Sequence, residues 1–163
     1  NEDELFSITD WCSSKNLDLT FIEVMPMEET DTDRHLQFMP LNEVFEKINL
    51  KFNLIKTNKK TGGPAIYYKS NKLRNNIGFI TPITNNFCAS CNRIRITSTG
   101  KLFMCLGQNN FIDFRNILRG DYSDEYIQEK ILYSLKIKPK KHDFLIEENL
   151  KPYMQRHMNV TGG

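Results

Sequence analysis

Three of the four cysteines, Cys88, Cys91 and Cys105, fall within 18 residues of one another. A deprotonated thiol is both a nucleophile and a soft metal ligand, and a group of three favours the second use. Cys88 and Cys91 are two residues apart, so both sulfurs can turn toward one centre. Thirteen residues separate Cys91 from Cys105. A hairpin of residues 93–97 and 101–104, turning at Ser98-Thr99-Gly100, would bring Cys105 back beside the pair. Three readings stay open on spacing alone. Structural zinc wants four closed ligands, and His142 or His157 could complete the set, though neither has a partner at ligand spacing. An iron–sulfur cube usually takes four cysteines, and with three it leaves one iron for another atom. The third reading is a hairpin that simply buries its thiols.

Arg93 and Arg95 follow directly and alternate, which sets both side chains on one face of a strand. Two forked guanidiniums beside a metal site suit phosphate oxygens. They also suit an exposed, solvated strand face.

The elements around this group read as follows. Leu5, Ile8, Trp11 and Cys12 recur at helical spacing, so residues 2–15 form an amphipathic helix with Cys12 as a small core residue. Residues 17–25, LDLTFIEVM, are nearly all apolar and predict a strand covered on both faces, as in a parallel sheet, stopped by Pro26. Helix then buried strand is the rhythm of an α/β barrel or doubly wound sheet. Residues 28–40 read as a polar, acidic loop. A short helix carrying Val44, Phe45 and Ile48 follows Pro40. Strands at 52–57, 65–69, 76–81, 93–97 and 101–104, split by turn-rich separators, form a mainly antiparallel unit. Phe111 to Arg119 reads as a helix ended by Gly120. Ser123 caps a further helix with Ile127, Ile131, Leu132 and Leu135 on one face. From Lys136 the pattern fades into a basic tail.

Composition bounds the class. The chain has 163 residues, which is enough for a domain with a real core. It begins without methionine and is read as a fragment of a longer protein. No run of about 18 apolar residues is present, so no membrane partner is expected. Residues 1–33 hold ten acidic side chains and one basic, whereas residues 34–163 hold 21 basic and ten acidic. A basic segment of that size attracts an anionic partner, either a nucleotide triphosphate or nucleic acid. Four cysteines in a chain of this length are too few for a disulfide framework and point to a reducing compartment.

Several segments together resemble the GTP 3′,8-cyclase family, the molybdenum cofactor biosynthesis A proteins of the radical S-adenosylmethionine superfamily. FCASCNRIRITSTGKLFMCL is similar to that family's second-cluster segment. FIEVMPM, at Phe21–Met27, is similar to its last barrel strand, and NIGFITPIT, at Asn76–Thr84, to the strand leading to the cluster. The terminal Gly162-Gly163 matches as well. The matches run in order from one end of the chain to the other.

The resemblance implies an α/β fold. Residues 1–33 would be the last strand and helix of an incomplete TIM-type barrel. Residues 34–163 would be a carboxy-terminal α+β domain carrying a [4Fe-4S] cluster on Cys88, Cys91 and Cys105. Family members convert GTP to (8S)-3′,8-cyclo-7,8-dihydroguanosine 5′-triphosphate. A first cluster cleaves S-adenosylmethionine, and a second holds the purine through its open iron. Carried over by position, Arg93, Ile94 and Arg95 contact GTP, Met25 lines the S-adenosylmethionine site, and Gly162 and Gly163 are the catalytic tail that enters the active site. A bare glycine backbone can thread a narrow cavity.

Two departures stand out. The family's amino-terminal CxxxCxxC is absent, so this stretch alone should not be catalytic. The residue before Phe21 is usually arginine in the family and here is Thr20, which cannot replace a guanidinium contact. Reduced thiols place the protein in the bacterial cytoplasm, or in the mitochondrial matrix if it is eukaryotic; no nucleic-acid partner is expected, and a homodimer is among the assemblies left open. The competing class is a zinc-stabilised nucleic-acid-binding module. It has the basic balance in its favour and the lack of an aromatic or basic array around the cysteines against it.

Overall fold

The computed structural model describes residues 1–27, 36–144, 156 and 158–161. It divides into two compact units, residues 1–25 with 36–87, and residues 26–35 with 88–163.

The first unit is a sheet with helices packed against it. After a 3-10 turn at Glu2–Glu4, α1 spans Leu5–Ser14 and β1 spans Leu19–Ile22; α2 is Leu41–Phe52, β2 Ile55–Lys56, β3 Ile66–Lys69 and β4 Ile77–Ile80. The sheet order is β1-β4-β3-β2. β1 runs parallel to β4, with Leu19 opposite Ile77 and Ile22 opposite Ile80. The β3–β4 and β2–β3 pairs are antiparallel. In α2, Leu41, Val44, Ile48 and Phe52 recur every three or four residues and bury one stripe against Leu5, Ile77 and Phe79. Phe45, Tyr68 and Phe79 complete that core edge to face, with ring centroids 4.9 to 5.6 Å apart. Asn53 ends α2 in the left-handed region at φ 55°, while the Asn49 side chain accepts the Leu54 N–H.

Two details differ from the sequence expectation. The buried face of α1 is Leu5, Thr9, Cys12 and Ser13, and Trp11 is 56% exposed. The polar members tolerate burial because their hydroxyls are paired. Thr9 donates to the Leu5 carbonyl, and Ser13 accepts the Arg74 N–H. In addition, β1 is covered on one face only. Leu19 and Phe21 pack on the core, whereas Thr20 and Ile22 are exposed.

At the end of β1 stands Glu23, 2% exposed. Its carboxylate accepts the Leu41 N–H at the start of α2, the Ile83 N–H at 2.8 Å, the Thr84 N–H at 3.1 Å and the Thr84 hydroxyl. A carboxylate at a helix N-terminus offsets the unpaired amides there. Here it also pins the loop that leaves β4.

Among the described residues the second unit is a meander followed by two α-helices. A 3-10 turn at Cys88–Ser90 leads to β5 (Arg95–Ile96), β6 (Lys101–Phe103) and β7 (Phe111–Asp113), then α3 (Phe114–Arg119) and α4 (Asp124–Lys136). The hairpin expected from the sequence is present, with Arg95 opposite Phe103 and Ile96 opposite Leu102. Gly100 takes φ +81° in its turn, and a Cβ there would lie 2.9 Å from the Arg115 Cβ, so only glycine fits. β7 pairs antiparallel with β6. The helix expected from Phe111 therefore begins at Phe114. Asp113 supplies the physical reason, because its side chain accepts the Arg115 N–H and caps α3. Ser123 caps α4 as expected, accepting the Tyr126 N–H.

Leu102, Met104 and Phe114 form the core, with Ile94, Ile112 and Ile127 against it. The face expected of α4 is mostly open. Ile127 packs inward and Ser134 is buried, but Leu132 is 56% and Leu135 45% exposed. Beyond α4 the basic tail returns over the loop that follows Cys105. Asp143 N–H donates to the Gly107 carbonyl, and a Cβ on Gly107 would lie 2.6 Å from the His142 Cβ.

Candidate functional site: three thiols and a basic rim

Cys88 and Cys91 flank one tight turn, in which the Cys91 N–H donates to the Cys88 carbonyl at 3.1 Å. Cys105 lies two residues past the end of β6. All three are free thiols and half-buried, and all belong to the second unit. Cys12 is buried in α1, in the first unit.

Their charges feel one another. Burial pushes the Cys105 thiol above its ordinary pKa. The Gly107 amide hydrogen-bonded to it and the Lys138 ammonium pull it down, and negative charge on Cys88 and Cys91 pushes it up again. Arg95 answers the same sulfurs. Burial lowers its pKa first and the Arg93 charge lowers it further, while Cys91 and Cys105 raise it. Among the described residues, no three His, Cys, Asp or Glu side chains group closely enough to hold a metal ion.

The elements explain the rest of the geometry. β5 pairs with β6, so Arg95 sits opposite Phe103, two residues before Cys105. Arg93 is exposed, Arg95 is half-buried and Ile94 between them packs on the core. Cys88, Cys91, Cys105, Arg93 and Arg95 all lie in the second unit, where the charges of Cys91 and Cys105 act on Arg95. Met25 is half-buried just beyond β1 in the first unit. Gly162 and Gly163 lie outside the described residues.

Two cations at this site were not singled out from the sequence. Lys138 Nζ donates to the Arg93 carbonyl at 2.8 Å and to the Met104 carbonyl at 2.6 Å. Arg156 donates to the carbonyls of Leu106 and Gln108, each at 2.7 Å, and to that of Cys105 at 3.4 Å. It also donates to the Asn109 side chain at 3.2 Å and lies 4.0 Å above the Phe103 ring. Both belong to the stretch that the sequence reads as an unpatterned basic tail. Isolated cations carry no periodicity, so only contacts reveal them. Beside them a cavity of about 440 Å³ is lined by Met104, Cys105, Gln108, Asn109, Phe111 and Ile137, among others.

The fold and site define a mixed α/β protein whose second unit presents three thiols beside a rim of arginine and lysine. The chain belongs to the Molybdenum Cofactor Synthesis C family, whose model matches residues 17–144. It is 44% identical to a protein named GTP 3′,8-cyclase from Nitrobacter winogradskyi over 163 residues, which is all of this chain and 48% of that protein. A protein of the same name from Brucella ovis is 44% identical and one from Erythrobacter litoralis 42%, again over the whole of this chain and 48% and 49% of theirs. The chain spans about half the length of the curated relatives it matches. Among the described residues no helix is long and apolar enough to cross a membrane.

Proposed function

We propose that this chain is the carboxy-terminal part of a GTP 3′,8-cyclase of molybdenum cofactor biosynthesis, and that it holds a three-cysteine [4Fe-4S] cluster and GTP. The observation that carries the reading is the likeness of the chain, from end to end, to proteins of that name, together with a second unit that holds Cys88, Cys91 and Cys105 and places Arg95 under the charges of Cys91 and Cys105.

The donor set fits the cluster. It consists of three free thiols and no disulfide. Zinc in a closed structural site takes four ligands, and three thiols alone leave that set one short. A cube takes one thiolate on each of three irons. When bound, the cluster would supply an iron with a free position that can take a substrate atom.

The chain's own residues have defined tasks in this reading. Cys88, Cys91 and Cys105 hold the cluster. Arg93 and Arg95 hold phosphate oxygens as forked donors, with Ile94 seating the strand between them on the core. Holding the nucleotide at both ends fixes the ribose against the reacting partner, and orientation of this kind can contribute on the order of 7–11 kcal/mol in the best cases. Met25 lines the S-adenosylmethionine site, and Gly162 and Gly163 form the tail that enters the active site. The remaining half of the full-length protein brings the radical-generating cluster and most of the S-adenosylmethionine contacts, and excludes water from the reaction.

Residues 1–33 are, in this reading, the end of a TIM-type barrel, and residues 34–163 the cluster-bearing domain. β1 is in keeping with a barrel strand in running parallel to its neighbour, while it shares its sheet and compact unit with residues 36–87. Four free cysteines suit a reducing compartment, the bacterial cytoplasm or the mitochondrial matrix.

The test is turnover by the full-length protein after anaerobic reconstitution with iron and sulfide. Supplied with GTP, S-adenosylmethionine and a reductant, it should release 5′-deoxyadenosine together with the 3′,8-cyclised nucleotide. Reconstituted protein that cleaves S-adenosylmethionine but leaves GTP unchanged would overturn the reading.

A further inference from the structure

Two side chains at the site share one habit. Lys138 and Arg156 both spend their donors on backbone carbonyls rather than on carboxylates, and those carbonyls cluster around Cys105. Lys138 takes Met104, immediately before the cysteine, and Arg156 takes Cys105 itself, Leu106 and Gln108. Lys138 in addition takes the carbonyl of Arg93, two residues past Cys91. One ammonium therefore ties the segment leaving the Cys88–Cys91 turn to the segment between the end of β6 and Cys105. The guanidinium, stacked on Phe103, closes the loop on the other side.

We propose that Lys138 and Arg156 are positioning residues that set the distance between the Cys91 and Cys105 thiolates and lend positive charge to the cluster the three cysteines hold. The inference rests on the cluster reading given above and assigns to it two residues from the basic tail. The physical case is direct. A short two-residue ladder, Arg95–Ile96 on Lys101–Phe103, is too brief to fix the residues beyond its ends. Cys91 and Cys105 both lie beyond those ends. Carbonyls that point at one cation cannot swing independently, so the two strand ends become one rigid frame. A cation on the carbonyl of a ligand cysteine also acts on the cluster, because its potential follows local charge and hydrogen bonding. The chemistry separates the two roles. Lysine offers a compact charge to two convergent carbonyls. Arginine offers one terminal nitrogen to the carbonyls around Cys105 and the other to the Asn109 side chain, a planar spread that a single lysine ammonium does not span.

The experiment uses the full-length protein, reconstituted anaerobically, with Lys138→Met, Arg156→Met, Arg156→Lys and Cys105→Ser compared. The readings are total iron, the rate at which a chelator removes iron, and the reduction midpoint of the carboxy-terminal cluster followed by its electron paramagnetic resonance signal. Lys138→Met and Arg156→Met should lose that cluster to chelator about 10- to 100-fold faster. Their midpoint should move to more negative potential, a change that a purely structural role would not produce. Arg156→Lys keeps the charge, so it should fold if the methionine variants do not; it should retain the midpoint yet still release iron faster. If Cys105→Ser loses one cluster while the Lys138 and Arg156 variants match the parent in release rate and midpoint, the positioning role is wrong and the cluster reading stands. If Cys105→Ser keeps its iron, the cluster reading itself fails.

Discussion

The Glu23 carboxylate accepts the Ile83 backbone N–H at 2.8 Å, across 60 residues of chain. The same side chain takes the Thr84 and Leu41 amides, so the ends of β1 and of β4 and the start of α2 meet on one buried acid. Replacing Glu23 by alanine leaves these amides without an acceptor in a buried site. The full-length protein should lose about 3 kcal/mol or more, read as a fall in midpoint on chemical unfolding. Glu23→Gln keeps the shape but turns one acceptor into a donor facing an N–H, and it should fall between the parent and the alanine variant.

Gly78 stands on the crowded side of the sheet, between Thr20 and Tyr67. A Cβ there would lie 2.7 Å from the Thr20 hydroxyl and 2.9 Å from the Tyr67 ring. Gly78→Ala should therefore destabilise by about 1–3 kcal/mol through overpacking. Pairing it with Thr20→Ser, which removes a methyl but keeps the hydroxyl, should restore little, because the closest contact is the oxygen.

Asp18 gives the first unit an acid-sensitive tie. Partial burial raises its pKa, but hydrogen bonds from Lys59 and Asn76 outweigh that and hold it below 3.8. The folded value is thus the lower one. Its stabilisation is present above the unfolded pKa and is lost as pH falls through the folded one. The parent should lose stability more steeply than Asp18→Asn as pH falls below about 4, measured by unfolding at a series of pH values. Equal slopes would show that this carboxylate is not linked to folding.

Arg93 and Arg95 are proposed to bind the triphosphate. Arg93→Ala and Arg95→Ala should each weaken GTP binding about 10- to 100-fold by calorimetry, while 5′-deoxyadenosine release from S-adenosylmethionine continues. Arg95→Lys should recover little if the contact is a bidentate fork. Loss of S-adenosylmethionine cleavage with normal GTP affinity would assign these arginines another role.

The local frame of the proposed site was legible in the sequence because its signals are local. Cys88 and Cys91 sit in one turn, Arg93 and Arg95 follow, and the Ser98-Thr99-Gly100 turn marks the hairpin toward Cys105. What stayed hidden was long-range. The parallel pairing of β1 with β4 joins residues nearly sixty apart, and no periodicity encodes which strand is the neighbour. Apolar count misled twice, at Trp11 and along α4, where small polar residues with satisfied hydroxyls took the buried positions. The start of α3 was misplaced because Phe111 and Ile112 suit a strand as well as a helix, and the Asp113 cap decides between them. Lys138 and Arg156 were invisible for a related reason, since a cation that binds carbonyls looks like any surface charge until its partners are seen.

The central claim is that Cys88, Cys91 and Cys105 share one iron–sulfur cluster. The most direct measurement is iron and acid-labile sulfide in the anaerobically reconstituted full-length protein, compared with Cys88→Ser. The account predicts that the variant loses one cluster's complement of both, and GTP affinity with it. A variant with unchanged iron, sulfide and GTP affinity would contradict it.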